Sequence, residues 1–291
     1  YQTKELTVQV AAGRTTEVSA RLEGGFPPAG WPAFLSSFKP APGLRYRVMA
    51  KDGMPQVFIP EGAFTMGDSV GDGGKEERPA RRVNLSGYWM DLHEVTNRQY
   101  KLFVQATGHQ PDKRWVQWDK DTGPNYPAVF VTWYEATAYA EWTGRSLPTE
   151  AQWERAARGG LEGKRYEWGD NPDPAFANGD FQDQLRWSYE NHCRNTKPVC
   201  SLKPNAYGLY DMCGNVWEWA RDWYDDNWLQ NLTEKDPVNL MPTRAGVHTL
   251  RGGSWDDGPY LLRVSARFRR KKDNWYDNFG FRCCSEESAA V

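Results

Sequence analysis

The sequence predicts an α+β domain of short strands, two to three helices and a large share of irregular loop. Three observations point there. In 291 residues, 15 Trp and 14 Tyr stand beside 27 Gly and 19 Pro. Such a chain holds irregular backbone against large flat side chains, while its Gly and Pro content stays below that of a disordered chain. Helical patterning is confined to three short stretches, each closed by glycine, and the strand-like runs between turn residues are only a few residues long. Apolar residues make up 39% and charged residues 25%, enough for one large domain with a small appendage. A net charge of −2 argues against nucleic acid as partner, because phosphate binding needs a basic face. No apolar run reaches the roughly 18 residues of a membrane span. The chain begins at Tyr1 with neither Met nor a signal-peptide pattern, and so reads as a fragment or processed form whose targeting information lies elsewhere.

Residues 1–24 read as a hairpin, Glu5–Val10 and Thr16–Leu22 around Ala11-Ala12-Gly13-Arg14. Alone it is too small to be stable, so it packs on the main body or ends an upstream β-domain; its pattern resembles the end of a PEGA repeat. Residues 25–54 form a Pro/Gly-rich linker, and the main domain covers 55–286. Val57 through Gly67 reads as two short strands around a Pro60-Glu61-Gly62 turn, and Tyr88–Asp91 as another strand. Thr96 caps a helix over Asn97–Ala106 that Gly108 ends; a Trp-rich loop fills 109–128; a second helix spans Trp133–Thr143 and stops at Gly144. Thr149 with Gln152 has capping-box spacing for a third, Glu150–Arg158. Thr249–Gly253 and Phe279–Cys284 read as strands bracketing an irregular excursion. In Gly214-Asn215-Val216-Trp217-Glu218-Trp219 the alternation puts both indoles on one face, toward the core.

Several strings are more specific. They are Ile59-Pro60-Glu61-Gly62-Ala63-Phe64-Thr65-Met66-Gly67, Glu94-Val95-Thr96-Asn97, Arg145 through Glu154, Tyr207 through Trp219, Leu250-Arg251-Gly252-Gly253-Ser254-Trp255 and Gly280-Phe281-Arg282. In this order they resemble the formylglycine-generating-enzyme (sulfatase-modifying factor) family, over about residues 55–286. The resemblance implies an irregular C-type-lectin-like fold with short twisted sheets.

It also implies a test of chemistry. Members that generate formylglycine carry two cysteines just after Arg-Gly-Gly-Ser, which bind copper and activate oxygen. Here the first of those positions is Asp257, and no cysteine lies between Cys213 and Cys283. Carboxylate does not replace the soft thiolates of a Cu(I) site, so formylglycine generation is not expected. Iron sulfoxide synthases of similar fold need a histidine triad; this chain has only His93, His109, His192 and His248, with no helical i,i+4 pair. Neither copper nor iron is expected. Asp225-Asp226 and Asp256-Asp257 are sequence neighbours whose carboxylates point apart on extended backbone, a poor acid/base pair. Five cysteines make no disulfide framework, although Cys193 and Cys200 could bridge a short loop.

The resemblance further implies structural calcium. One site falls on Asp211, the carbonyls of Gly214 and Val216, and Glu218, hard oxygen donors that suit Ca²⁺. A second would use Asn178, the Gly179 carbonyl, Asn191 or Glu190, and the Cys193 carbonyl. The bland alternative is that these carboxylates only accept backbone hydrogen bonds.

With catalysis removed, residues 255–278 remain as a recognition surface for a protein or glycan. The candidates are Asp256, Asp257, Gly258, Tyr260, Phe268, Arg269, Arg270, Trp275, Tyr276 and Asp277, since aromatic and Arg side chains anchor binding surfaces. The alternatives are internal bracing and, for Arg269–Lys272, a solvated basic patch or local anion site. The segment most resembles that of variable proteins of diversity-generating retroelements, rewritten at adenines of template codons. From an AAC codon, Asp256, Asp257, Gly258, Tyr260, Phe268, Tyr276 and Asp277 are reachable, whereas Trp255, Lys271, Lys272 and Trp275 are not. That reading allows display on a cell surface or virion of bacterial or phage origin. The other reading is an inactive regulatory or interaction module of a larger protein, or an oxidoreductase with an unrecognised site.

Overall fold

In a computed structural model of the chain, the described residues are 16–18, 43–181 and 196–287. Strands β1 (Thr16–Val18), β2 (Tyr46–Val48), β3 (Pro55–Ile59), β6 (Tyr88–Asp91) and β11 (Cys284–Glu286) form an antiparallel sheet in the order β1-β2-β3-β6-β11. The sheet therefore already includes residues upstream of 54. The strands β4 (Gly62–Met66) and β5 (Arg81–Leu85) pair with each other, so β3 and β4, neighbours in sequence, belong to different sheets. A second main sheet has the order β10-β7-β8-β9, from β7 (Trp217–Trp223), β8 (Val247–Arg251), β9 (Arg267–Lys271) and β10 (Phe279–Gly280). The 254–278 excursion is thus not wholly irregular: β9 lies inside it and pairs antiparallel with β8. The proposed first strand, Glu5–Val10, and residues 25–42 of the linker lie outside the described residues.

Helices α1 (Asn97–Thr107), α3 (Trp133–Thr143) and α4 (Glu150–Arg158) each start at a threonine cap with a reciprocal side-chain bond three residues on, and each ends at a left-handed glycine. Helix α2 (Lys113–Thr122) replaces the predicted Trp-rich loop. Asp112 caps it by accepting from the Arg114 amide at 2.7 Å, and Trp115 and Trp118, three apart, form its buried side. Helix α5 (Trp228–Asn231) is a single turn, and Lys75–Glu77 forms a 3-10 turn. Among the described residues five α-helices thus stand where two to three were expected. Among the described residues no helix is long and apolar enough to cross a membrane.

Helix α4 sits at the centre with eight of its nine residues buried. Ala151, Trp153, Ala156 and Ala157 join one core cluster with Val57, Ile59, Met90 and Leu209. A second core packs Tyr100, Phe103, Tyr139, Trp217, Trp219 and Phe281. Trp217 and Trp219 are both buried as expected, and so is Glu218 between them; β7 is covered on both faces. The charged side of α4 is buried as well. Glu154 bonds Arg251 at 2.5 Å and Arg158 at 2.6 Å, and takes the Gly67 amide at 2.8 Å. Glu150 holds Arg267 through two bonds, 2.6 and 2.9 Å. Burial works to raise the Glu150 carboxyl, but the Arg267 and Arg251 charges outweigh it and hold it below its ordinary value. Removing one partner of a buried pair strands the other charge. Glu154→Ala leaves Arg158 without a counter-ion and Arg251 with only Glu150, 3.7 Å away, and should lower unfolding stability by about 3–5 kcal/mol in urea; a loss under about 1 kcal/mol, the scale of a surface pair, would contradict a structural role.

Candidate functional site

The ten residues proposed as a binding surface divide into presented and bracing groups. Asp256, Tyr260, Arg269 and Tyr276 are exposed, and the other six are half-buried. Asp257 turns inward. Its Oδ2 accepts from the Ser254 amide at 3.0 Å and the Ser254 hydroxyl at 2.5 Å, and the Trp217 indole also donates to it. Burial raises the Asp257 carboxyl. Phe268 stacks on Trp217, 4.9 Å between ring centroids and 24° between planes. Trp217 is thus the shared floor of two groups well separated in sequence, 254–260 and 267–277, and Asn278 ties them again by donating to Ser254 Oγ at 3.1 Å.

On the second group, the Arg270 guanidinium lies 4.1 Å over Phe268 and Arg269 pairs with Asp226 at 2.7 Å. Tyr276 packs 4.9 Å from Phe279. Trp275 lies between Phe130, 6.2 Å away, and the Arg114 guanidinium, 3.9 Å from its ring. Phe130 has φ +59°, unusual for a bulky side chain; its amide donates to the Tyr276 carbonyl at 2.9 Å. Arg114 and Phe130 were not candidates in the sequence. Both flank or lie in the stretch read as loop, and only the recognition of α2 would have drawn attention there. Asp256 and Asp257 diverge. Asp225 and Asp226 also separate, one giving its carbonyl to Arg267 and the other its carboxylate to Arg269.

The predicted calcium positions fall on a buried turn rich in carboxylates. Asp211, with φ +58°, accepts the Cys200 amide at 2.9 Å. Gly214 sits so close to Asn178 that an added Cβ would lie 2.3 Å from its carbonyl oxygen. Glu218 faces Arg282, with bonds of 2.7 Å from both Nε and Nη2, and also accepts from the Trp153 indole at 2.8 Å. Two carboxylates that the sequence reading did not assign reach the same turn. Glu94 accepts from Asn215 Nδ2 at 2.6 Å and from the Val216 amide at 3.2 Å. Glu167 accepts from the Cys213 amide at 3.3 Å, while its Oε2 is buried without a hydrogen bond. Neither carries a sequence signal of its own, because the contact is long-range. Among the described residues no three His, Cys, Asp or Glu side chains converge as a ready metal group, so an ion here would need main-chain carbonyls. At the second position Asn178 donates to Asn215 Oδ1 at 3.2 Å and Gly179 packs under Leu262; Asn191 and Cys193 lie outside the described residues.

Burial pushes Asp211 up to about 6 against the Cys200 amide and the Arg282 charge, which lower it. Glu94 and Glu167 are pushed well above the usual carboxylate range by burial and then by Asp211. Folded carboxyls raised in this way bind more protons than the unfolded chain. For Asp211 that stabilising contribution is present below its unfolded value and is lost as pH rises through about 6; Glu94 and Glu167 act in the same direction. In the presence of a chelator, the urea midpoint should fall between about pH 5 and about pH 7. Asp91 and Asp222, raised by burial to about 6 and about 7, act in the same direction; Asp211→Asn separates the contributions by making the fall shallower. An Asp211→Asn profile with an unchanged slope would remove the cluster from this account.

Residues 47–287 match the sulfatase-modifying factor enzyme 1-like domain family. A formylglycine-generating enzyme of Streptomyces coelicolor is 34% identical over 305 aligned residues, covering 88% of this chain and 95% of its own length. Among solved structures, PvdO from Pseudomonas aeruginosa superposes with a TM-score of 0.69 at 26% identity, covering 86% of this chain and 99% of its own. Treponema denticola variable protein 1 superposes at 0.63 with 20% identity, covering 84% and 100%; at that identity it shows a common fold. The fold is therefore the irregular C-type-lectin-like fold of these relatives, and the chain belongs to the formylglycine-generating-enzyme (sulfatase-modifying factor) family.

Proposed function

We propose that this chain is a non-catalytic, ligand-binding member of the family that presents residues 256–277 to a macromolecular partner. One observation carries the reading. Where the resemblance places the first copper-binding cysteine stands Asp257, and its carboxylate is spent on Ser254 and Trp217. Among the described residues, burial pushes the thiols of Cys200, Cys213 and Cys283 well above their ordinary value and that of Cys284 to about 12, whereas a copper site needs thiolates. Incubated with copper and a cysteine-containing sulfatase peptide under oxygen, the protein should leave the peptide thiol unconverted by mass spectrometry. Aldehyde formation would overturn the reading.

The finer version is a surface diversified by a retroelement. Asp256, Tyr260 and Tyr276 support it, being both exposed and reachable from the template codon. Asp257 and Phe268 favour the other version, a fixed interaction module, because both brace the floor around Trp217. A near-copy of codons 251–282 differing at adenines, beside a reverse-transcriptase frame, decides between them.

Structural calcium belongs to the same proposal. The carboxylates of Glu94 and Asp211 with the carbonyls of Gly214 and Val216 would hold it. The excess of buried carboxyls over the single Arg282, and the unpartnered Glu167 oxygen, support a cation here. Glu218, already held by Arg282, would then support the turn from behind. Bound calcium would crosslink loops that no sheet orders. Millimolar calcium should raise the melting temperature more as pH rises and the carboxyls ionise. Glu94→Gln should remove most of that shift, and an equal shift in the variant would take Glu94 out of the ligand set.

A further inference from the structure

The strand β9 is an outer strand of its sheet: β8 covers one side, and among the described residues no strand pairs with the other. Among the described residues Phe268, Arg269 and Arg270 make no backbone–backbone bond outside the β8 ladder, and the open stretch ends at Lys272, whose carbonyl accepts from the Trp133 amide at 3.1 Å. An open edge of this kind is a template for another extended chain. The strand runs outward from the core. Arg267 is buried against Glu150, Arg269 is paired with Asp226, and Lys271 is exposed.

The opposite face of the strand carries Phe268 and Arg270, followed by Lys272. Arg270 is seated over Phe268, with Tyr276 at 5.9 Å, and Lys272 lies 4.8 Å over Tyr134 and 5.6 Å over Trp223. Among the described residues neither cation has a carboxylate partner, nor has Lys271. The two aromatic-seated cations are thus positioned without being neutralised. They are two residues apart in sequence, Arg270 on β9 and Lys272 on the turn that ends it.

We propose that the β9 edge binds an extended acidic protein segment by strand addition, with one carboxylate opposite Arg270 and a second reaching Lys272 on the turn that ends the strand. The proposal deepens the reading of 256–277 as a binding surface and rests on it. Opposite charges facing each other across a strand pair stabilise it, and like charges oppose it. A second copy of β9 is excluded on that ground, since it would set Arg and Lys against Arg and Lys. An anionic glycan could meet the two cations but would leave the main-chain groups of the edge unused. A peptide satisfies both, with backbone bonds for affinity and alternate side chains for choice.

The test uses the full chain and a fluorescein-labelled peptide alternating Glu and Val, followed by anisotropy at low and moderate salt. Binding is expected, with slowed amide exchange in 268–271. It should weaken by about tenfold or more in the Arg270→Gln/Lys272→Gln double variant, and much less in Lys271→Gln on the other face. An alternating Lys/Val peptide and a Glu/Val peptide N-methylated at alternate amides should both fail to bind the unaltered protein, so the test survives if the double variant is unstable. Equal binding of the N-methylated peptide would overturn strand addition. Binding of a heparin oligosaccharide with no peptide binding would overturn the choice of partner, and no peptide binding at millimolar concentration would overturn the proposal outright. Aldehyde formation in the assay described above would instead sink the non-catalytic reading while leaving peptide binding standing.

Discussion

The charged side of α4 is the constraint on which the rest of the structure depends. Glu150, Glu154 and Arg158 recur every four residues on a helix that is buried almost all round. Each reaches a different part of the chain: Glu150 to Arg267 on β9, Glu154 to Arg251 on β8 and to the Gly67 amide, and Arg158 to the Gly67 and Lys164 carbonyls. Arg251 also donates to the carbonyls of Val264, Ser265 and Ala266. A fold with so little regular structure leaves many backbone groups that no ladder can satisfy. Long Arg side chains reaching into the interior supply those donors, and the buried glutamates make their charge tolerable. The arrangement is costly in desolvation, so its value lies less in net stability than in fixing one arrangement of loops.

The same device recurs around the two sheets. Arg145 bridges Asp52 and Asp91, joining the end of α3 to the first sheet. Arg282 clamps Glu218 and gives an N–H to the Tyr210 carbonyl. Arg263 holds Glu77 through two bonds, 2.6 and 2.7 Å, anchoring the far end of the 254–263 turn. The proposed surface is therefore anchored midway by buried ion pairs, at Arg263 and at Arg267, with Trp217 as its floor.

This explains what could be read in the sequence and what could not. Helices α1, α3 and α4 were legible because their start and stop signals are local: a threonine, a Gln or Glu three residues on, and a terminal glycine. Helix α2 has an ordinary Asp cap and only two buried residues, Trp115 and Trp118, a pattern too sparse to distinguish from an aromatic loop. Strand β9 was hidden by its charge. Arg267-Phe268-Arg269-Arg270-Lys271 reads as a solvated basic run, and only pairing with β8 and the distant Glu150 makes it a strand. The motif strings identified the family, but not why they contain Glu154, Arg251 and Arg282, because those residues explain one another only once they are in contact. The carboxylate turn shows the same limit. Asp211 and Glu218 were legible as a local pattern, whereas Glu94 and Glu167 arrive from remote segments.

Support and presentation are graded along one short strand. Arg267 is 6% exposed and belongs to the α4 network, Phe268 rests on the Trp217 floor, Arg269 reaches only the surface Asp226, and Lys271 faces solvent. Within five residues the same backbone passes from fixed core to open surface. The turn before it makes the transition in a single step, from the inward Asp257 to the outward Asp256. Changes confined to the exposed Arg269 or Tyr276 can alter recognition with little effect on the fold, whereas Tyr260 lies 4.3 Å from the buried Arg263 guanidinium. Changes one residue away, at Asp257 or Phe268, disturb the floor itself. A surface built in this way accommodates variation only at alternate positions, and the buried ion pairs determine which positions those are.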